Sequence, residues 1–260
     1  MGYSIDQFSK ISGISKLVLR TWENRYNYLE ATRTETKLRL YSDSLLVKAL
    51  KTKLLIDSGY KISFISSINE NELDQLTSEL KNSSNKKTSC DYYINKMIES
   101  GINYDAELFN TIYSECVINF NDIDLYTKIM LPTFSKIGLF WLTNRMNPAQ
   151  EHFLSEMFKQ KVYSAIDKIK ITNTKQKTWL LFLPPNEHHE IGLLFSRFLL
   201  IKNGFNVIYL GSNVPLSAVE QVYHTKNIHS ILFFAISNFS KSDLSNTTSF
   251  LGKKLKKAKK

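Results

Sequence analysis

The residue pattern best suited to chemistry in this sequence is Glu187-x-His189-x-x-Gly192. A histidine can bind a metal through one ring nitrogen, while a carboxylate two residues away accepts the proton of the other nitrogen and fixes the tautomer. Gly192 would let a bulky ligand approach the following helix closely. Histidine and glutamate are also common in solvated loops, so an ordinary surface loop is the alternative interpretation.

A second candidate group lies earlier in the chain, where Trp141 is followed after nine residues by Glu151 and His152. Taken alone, a tryptophan at a helix end is usually a core anchor, and a Glu-His pair in a first helical turn is usually exposed. These three residues therefore gain a functional interpretation only from their context.

A third group consists of basic side chains that could contact DNA phosphates. The formal net charge is +10, which favours a polyanionic partner. Six lysines fall within 253–260, however, and without them the balance is near +4, so we interpret that run as a solvated tail. The prediction of DNA binding rests on N-terminal residues, namely Lys16, Arg20, Arg25, Arg33, Lys37 and Arg39.

The N-terminal segment has the pattern of a helix-turn-helix. Apolar residues recur at helical spacing over Ile5–Ile11, and Gly13 supplies a tight turn before a second helix at Lys16–Asn24. Alternation around Leu38 and Leu40 predicts a hairpin, or wing. Further helices are predicted over Asp43–Ser58, Lys61–Ile68 and Glu70–Leu80.

The middle of the chain is predicted to be helical. The polar stretch Lys81–Ser89 indicates a flexible linker and domain boundary. Four amphipathic segments joined by short connections then predict a four-helix bundle. These segments are Asp91–Ser100, Tyr104–Asn119, Asn121–Trp141 and Pro148–Lys170.

The C-terminal part alternates strands and helices, which predicts a parallel sheet. The strands are predicted at Thr178–Leu183, Asn206–Leu210 and His229–Ser237, and the helices at Ile191–Lys202 and Leu216–Lys226. Ligands of such sheets bind outside the carboxyl ends of the strands. Glu187 and His189 follow the first strand, at that edge.

The N-terminal string resembles the MerR family of transcription regulators. The resemblance rests on Arg20-x-Trp22-Glu23-x-Arg25-Tyr26-x-x-Leu29, then Arg33, then Arg39-x-Tyr41. It implies that Arg20, Arg25 and Arg33 face duplex DNA and that Trp22 locks the helices together. For each arginine singly, a solvated surface charge is the alternative. Ala31 stands where the family usually has proline.

From about residue 90 the chain resembles the cobalamin-binding region of CarH and LitR-type photoreceptor repressors. The resemblance rests on the acid-x-His-x-x-Gly motif, with Glu187 in place of the commoner Asp, and on the Trp-x9-Glu-His string. It implies a multi-domain protein: an all-α winged helix-turn-helix (1–72), a helix and linker (73–89), a four-helix-bundle cap (90–174) and a C-terminally short α/β Rossmann-like domain (175–260).

The same resemblance implies roles for the candidate residues. His189 would be the lower axial ligand of cobalt, with Glu187 as its hydrogen-bond partner and Gly192 beside the cofactor. Trp141, Glu151 and His152 would pack around the adenosyl group of adenosylcobalamin. Light would break the cobalt–carbon bond, after which His152 could reach cobalt. Dark tetramers would bind operator DNA, and the illuminated protein would release it.

The C-terminus departs from the cobalamin-domain pattern. Two further strands and a Gly-Gly segment are expected, and Ala235-Ile236-Ser237 stands where Ser-x-Leu is usual. A cobalamin-free MerR-type regulator, whose C-terminal domain serves oligomerisation or protein contacts, therefore stays open. A cobalamin-dependent methyltransferase module is disfavoured because no substrate-activating domain accompanies the DNA-binding segment.

Composition sets the broad class. The chain has 260 residues, of which 43% are hydrophobic, enough for two or three packed modules. Cys90 and Cys116 have no metal-ligand spacing and are predicted to be reduced thiols. The absence of a signal-peptide pattern or a membrane-length apolar run predicts a cytoplasmic protein. No catalytic triad or paired carboxylate predicts an enzyme.

Overall fold

The computed structural model describes residues 2–142, 148–170, 175–236 and 241–255. The chain divides into two compact units, Met1–Leu154 and Ser155–Lys260. Each unit is described by itself below. The predicted separation of a DNA-binding domain from a helical bundle within the first of them stays a prediction.

The first unit begins with the predicted helix-turn-helix. Strand β1 (Tyr3–Ser4) leads into helix α1 (Ile5–Ser12), and Ser4 caps it in a capping box with Gln7. Gly13 ends α1 with a left-handed φ of 71°. Helix α2 (Lys16–Tyr26) follows, capped by Ser15, whose hydroxyl accepts from the backbone N–H of Val18. The Gly-containing turn between two short helices is thus confirmed.

A small antiparallel sheet accompanies these helices. Strand β2 (Thr32–Arg33) and strand β3 (Arg39–Tyr41) form a hairpin at the predicted position, and β1 pairs with the other edge of β3. The hairpin was predicted as the wing, so the description of the module as all-α was wrong only in leaving out this small sheet. Strand β1 was not predicted, because two residues are too few to show an alternating pattern.

Three more helices complete this part: α3 (Asp43–Asp57), α4 (Ile62–Ile65) and α5 (Glu70–Glu79). Helix α4 is shorter than the predicted Lys61–Ile68. Two contacts join the helices: the rings of Phe8 and Tyr41 stack at 4.1 Å, and the hydroxyls of Tyr28 and Thr52 lie 2.7 Å apart. Both pairs are buried, so the helix-turn-helix, the hairpin and α3 share one core.

The predicted linker is largely ordered. A 3₁₀ turn (Leu80–Asn82) follows α5, and helix α6 (Lys86–Asn103) begins four residues before Cys90. Asn85 caps α6 by accepting from the backbone N–H of Lys87. The polar residues 86–89 therefore form the first turn of a helix, and polarity alone did not identify a linker.

Helix α6 is the centre of the helical region. Helix α7 (Ala106–Asn119), the short α8 (Asp122–Asp124), a π-helical turn (Leu125–Met130) and helix α9 (Leu131–Leu142) follow it, then helix α10 (Pro148–Asp167). A β-carbon on Gly101 would come within 2.2 Å of Leu154, so this glycine is what lets α10 lie against α6. The four-helix bundle as a whole stays a prediction, since residues 143–147 lie outside the described chain.

The second unit contains a three-stranded parallel sheet with helices on both faces. Its elements are β4 (Lys175–Phe182), α11 (Ile191–Lys202), β5 (Phe205–Tyr209), α12 (Leu216–Thr225), β6 (Ser230–Phe233) and α13 (Lys241–Leu255). The strand order is β5-β4-β6. Leu180 and Phe182 of β4 face α12, whereas Leu181 faces α11. Strand β6 is shorter than predicted, and α13 was not predicted.

No helix within the described ranges has both the length and the apolar character that a membrane span requires. Cys90 and Cys116 are both free and buried.

Candidate functional site

The loop after β4 is organised around a buried carboxylate. Glu187 is completely buried, at 0% exposure, and lies just beyond the carboxyl end of the central strand. Its Oε1 accepts hydrogen bonds from the backbone N–H groups of His188 (2.9 Å) and His189 (3.0 Å). Its Oε2 accepts from the backbone N–H of Ile236 at 2.7 Å. Backbone N–H groups can only donate, so the site is built to hold an ionised, accepting carboxylate.

The same carboxylate orients the histidine. Nδ1 of His189 lies 2.7 Å from Oε1 of Glu187, and the histidine side chain is 58% exposed. In a neutral imidazole, a carboxylate that only accepts places the ring proton on Nδ1, which leaves Nε2 with its lone pair. The loop therefore presents an oriented imidazole nitrogen, the arrangement in which a histidine binds a metal.

The three strand ends meet at this loop. Asn213 follows β5, donates its backbone N–H to the carbonyl of Glu187 at 3.0 Å and accepts from the backbone N–H of Asn186 at 2.9 Å. Gly211 also follows β5 and has a φ of 83°, a left-handed conformation that glycine adopts without strain. Its carbonyl accepts from the backbone N–H of Leu183 at 2.8 Å. Parallel strands bring their carboxyl ends to one edge, which is why residues far apart in sequence converge here.

A polar cluster adjoins the loop. Glu190 accepts from the hydroxyl of Tyr209 at 2.7 Å and lies 3.8 Å from the ammonium of Lys159. The guanidinium carbon of Arg197 lies 5.1 Å from the centre of the Tyr209 ring. Burial, the hydrogen bond to Glu190 and its charge raise the pKa of Tyr209 above its usual range. These contacts fix the start of α11, where Gly192 is the second residue.

No group of three or more His, Cys, Asp or Glu side chains suited to a metal ion occurs among the described residues. Among the described residues, His189 therefore does not belong to such a cluster of metal-ligating side chains.

The second candidate group is Trp141 on α9 with Glu151 and His152 on α10, all within the first unit. Gln150 is buried and donates to the carbonyl of Ile102 at 2.9 Å, which fixes the first turn of α10 against the end of α6. In that turn His152 is exposed, and its Nδ1 lies 3.6 Å from Oε2 of Glu151. Trp141 stands near the end of α9, and its side chain lies outside the described part of the structure.

The basic residues of the first unit fall into two groups. Arg20 and Arg25 of α2, Arg33 of β2 and Lys37 of the hairpin turn are exposed. The guanidinium of Arg25 also lies 5.6 Å from the centre of the Tyr26 ring. On the opposite side of α2, Trp22 is buried with its ring edge against Tyr28, as the resemblance implied.

The second group consists of basic side chains with a partner inside the protein, and it shares Arg33 with the first group. Arg39 Nε lies 2.7 Å from Oε2 of Glu23, and Arg33 lies 3.4 Å from its Oε1. The Arg39 side chain is 20% exposed. Glu23 therefore ties the hairpin to helix α2. Lys16 forms an ion pair with Asp6 of α1, and this hydrogen bond lowers the pKa of Asp6.

A buried polar chain connects α9 with α3. Lys136 of α9 donates to Oδ1 of Asn95 at 3.2 Å, and Asn95 donates to the backbone carbonyl of Leu50 at 3.2 Å. Burial lowers the pKa of Lys136, although Asp91 and Asp57 act against it. Helix α6 thus lies in hydrogen-bond contact with both the helix that carries Trp141 and the third helix of the N-terminal module.

Two segments of the chain match models of known protein families. Residues 3–71 match the model of the MerR HTH family regulatory proteins. The N-terminal module is a MerR-family helix-turn-helix. Residues 93–165, which run from the middle of α6 to near the end of α10, match the B12 binding domain model. The chain therefore has a MerR-type regulatory module followed by a helical region similar to the B12 binding domain, and the MerR resemblance predicted from sequence is confirmed.

Two curated relatives match most of the chain. The chain is 24% identical over 216 residues to the HTH-type transcriptional repressor CarH of Myxococcus xanthus, covering 82% of this chain and 72% of that protein. It is 23% identical over 223 residues to the repressor CarA of the same organism, covering 85% and 72%.

One solved structure that is similar to part of this chain is the methanol:cobalamin methyltransferase complex MtaBC from Methanosarcina barkeri. It is 13% identical, with coverage of 75% of this chain and 76% of that one, and a TM-score of 0.33. A TM-score this low carries no argument about this chain.

Several residues of these sites were not predicted from sequence. Glu23 was part of the MerR string, yet its acidic character amid arginines could have indicated an ion-pair partner for the hairpin. Glu190 and Tyr209 lie 19 residues apart and Ile236 lies 49 residues from Glu187. Pairings at such separations depend on the sheet, and only a reliable strand register would have revealed them.

Proposed function

We propose that the protein is a transcription repressor whose operator binding is controlled by adenosylcobalamin and light. The observation that carries the proposal is the buried Glu187 that orients an exposed His189 at the carboxyl edge of a parallel sheet, in a chain with a MerR module. Both curated relatives are named as repressors.

The donor set of the loop fits a corrinoid cofactor. Such a cofactor would bring its own metal and four ring nitrogens, so the protein would need to supply one imidazole rather than a cluster of ligands. His189 offers that nitrogen, with Glu187 holding its tautomer. Gly192, in the first turn of α11, is the proposed point of close approach. Bound adenosylcobalamin supplies a visible chromophore and a light-sensitive cobalt–carbon bond.

We also propose Trp141, Glu151 and His152 as cobalamin-contacting residues. This assignment is supported by the Trp-x9-Glu-His string and by the match of residues 93–165 to the B12 binding domain. His152 is exposed at the start of α10, as a second histidine ligand has to be. The buried chain from Lys136 through Asn95 to α3 gives helix α9 a direct route to the DNA-binding module.

The DNA-binding part of the proposal assigns the major groove to α2 and the phosphates to the hairpin. Arg20 and Arg25 on α2, with Arg33 and Lys37 on the hairpin, supply the charge. One short helix and one hairpin make few contacts, so tight operator binding requires a dimer or tetramer. Assembly is thus the property that the cofactor would control.

The experiment is reconstitution of the full chain with adenosylcobalamin in the dark. The protein is separated from free cofactor by gel filtration, and its absorbance is recorded before and after green illumination. Co-elution of colour with the protein and a spectral change on illumination are expected. A colourless protein peak would contradict the proposal and would favour a cobalamin-free regulator.

A further inference from the structure

Helix α2 carries a large apolar side chain that the protein leaves in solvent. Leu17, the second residue of the helix, is 75% exposed. Its backbone carbonyl accepts from the hydroxyl of Thr21 at 2.9 Å, so the backbone around it is held in place. Isolated exposed leucines are ordinary on protein surfaces, and the position of this one on α2 is what distinguishes it.

Leu17 lies on the outward face of the helix. Residues 17, 20 and 24 follow helical spacing, and Leu17, Arg20 and Asn24 are all exposed. On the opposite face Leu19 and Trp22 are buried in the core. Leu17 therefore shares a surface with Arg20, the residue for which the MerR resemblance implies a DNA contact.

The position on the helix matches a known requirement of DNA recognition. In helix-turn-helix proteins the N-terminal residues of the second helix are the ones that approach base edges in the major groove. The apolar group that the major groove offers there is the C5-methyl group of thymine. A leucine at the second position of α2 has the chemistry to contact such a methyl group and to distinguish thymine from cytosine.

We propose that Leu17 is a specificity-determining residue that packs against a thymine methyl group in the operator. The inference rests on the proposed DNA-binding function and deepens it, because it names the base feature that α2 recognises. Leu38, which is 65% exposed beside the hairpin turn, is the matched comparison. The minor groove carries no thymine methyl group, so a leucine on a hairpin that follows the phosphates should not detect one.

The test uses the full chain, with adenosylcobalamin in the dark, and an operator selected under those conditions from a random duplex library. Each thymine of the operator is replaced in turn by deoxyuridine, which removes only the methyl group. Loss of one buried methyl-sized contact corresponds to about fourfold in affinity. For the wild type we expect at least one such replacement to weaken binding about fourfold, and for Leu17→Ala we expect no further loss at that position.

The control variant Leu38→Ala should show the same deoxyuridine effect as the wild type. The inference is overturned if no deoxyuridine replacement affects the wild type, or if Leu17→Ala and wild type lose the same affinity. Failure to select any operator would instead refute the proposed DNA-binding function, and the inference with it. The two failures are therefore distinguishable.

Discussion

Nδ1 of His189 lies 2.7 Å from Oε1 of Glu187, and the glutamate is fully buried while the histidine ring faces solvent. The pair resembles the carboxylate–histidine arrangement that orients metal ligands. Glu187 also accepts from the backbone N–H of His188 in its own loop and from that of Ile236, which follows β6. The histidine is thus fixed by a group that holds the loop together.

The first prediction concerns the ligand itself. His189→Ala removes the only side chain that Glu187 orients toward solvent in the described loop. Cobalamin affinity should therefore fall by at least about 10- to 100-fold, the loss typical of mutating even a hydrogen-bond partner of a metal ligand. Equilibrium titration followed by absorbance measures this.

His188→Ala is the matched control. His188 is exposed, and its contact with Glu187 runs through the backbone N–H, which alanine keeps. Its affinity should equal that of the wild type. Equal losses in the two variants would show that His189 has no special role.

The second prediction concerns the stability of the loop. Glu187→Gln replaces one accepting oxygen by an NH₂ group, so either side-chain orientation sets a donor against a buried donor. An unsatisfied buried donor costs about 1–3 kcal/mol. We expect a loss of this size in the free energy of unfolding of the variant, measured with urea.

Glu156→Gln provides the control for that substitution. Glu156 lies on α10 within the same unit, 2.6 Å from the ammonium of Lys159, and its side chain is 68% exposed. Exposed ion pairs contribute about 0–1 kcal/mol, so this variant should be nearly as stable as the wild type. Indistinguishable unfolding of the Glu187 and Glu156 variants would contradict the structural role of Glu187.

The third prediction separates the basic residues by salt dependence. Arg20 and Arg25 are exposed, whereas Arg39 is 20% exposed and ion-paired with Glu23. For Arg20→Ala or Arg25→Ala, the slope of log K against log salt concentration should decrease by about 1. For Arg39→Ala the decrease should be well below 1, because its charge is already neutralised. Equal changes for all three would show that Arg39 leaves Glu23 on binding DNA.

The fourth prediction concerns alkaline pH. Burial, aided by Glu115, raises the pKa of Tyr92 and of Tyr93 from 10.0 to about 12. Between these pH values the unfolded chain has lost protons that the folded chain retains. The stability contributed by these groups is therefore complete below pH 10 and is lost as the pH rises toward 12.

Denaturant unfolding of the full chain at about pH 9 and about pH 11 checks this expectation. The double variant Tyr92→Phe, Tyr93→Phe should lose less stability over that interval than the wild type. If the wild type and the double variant lose the same free energy of unfolding between the two pH values, neither hydroxyl is protected in the folded state.

Much of the fold could be predicted from local sequence signals. Gly13 between two capped helices identified the helix-turn-helix, and helix α11 has the predicted bounds Ile191–Lys202. The position of Glu187 and His189 followed from the rule that loops after parallel strands share one edge. These inferences needed only residues close together in the chain.

Other features depend on contacts between distant residues. The hydrogen bond from Ile236 to Glu187 spans 49 residues, and the one from Lys136 to Asn95 spans 41. The polar start of α6 was interpreted as linker because Asn85 and residues 86–89 lack apolar periodicity, although Asn85 is a good helix cap. Burial of a polar side chain is not visible in sequence when its partners lie far away.

The central claim is that cobalamin controls DNA binding, and operator binding by the full chain tests it most directly. Electrophoretic mobility of a selected operator is compared without cofactor, with adenosylcobalamin in the dark, and with adenosylcobalamin after green light. The account predicts a complex in the dark with cofactor that disappears on illumination, and no such response for His189→Ala. The same operator affinity under all three conditions would contradict it.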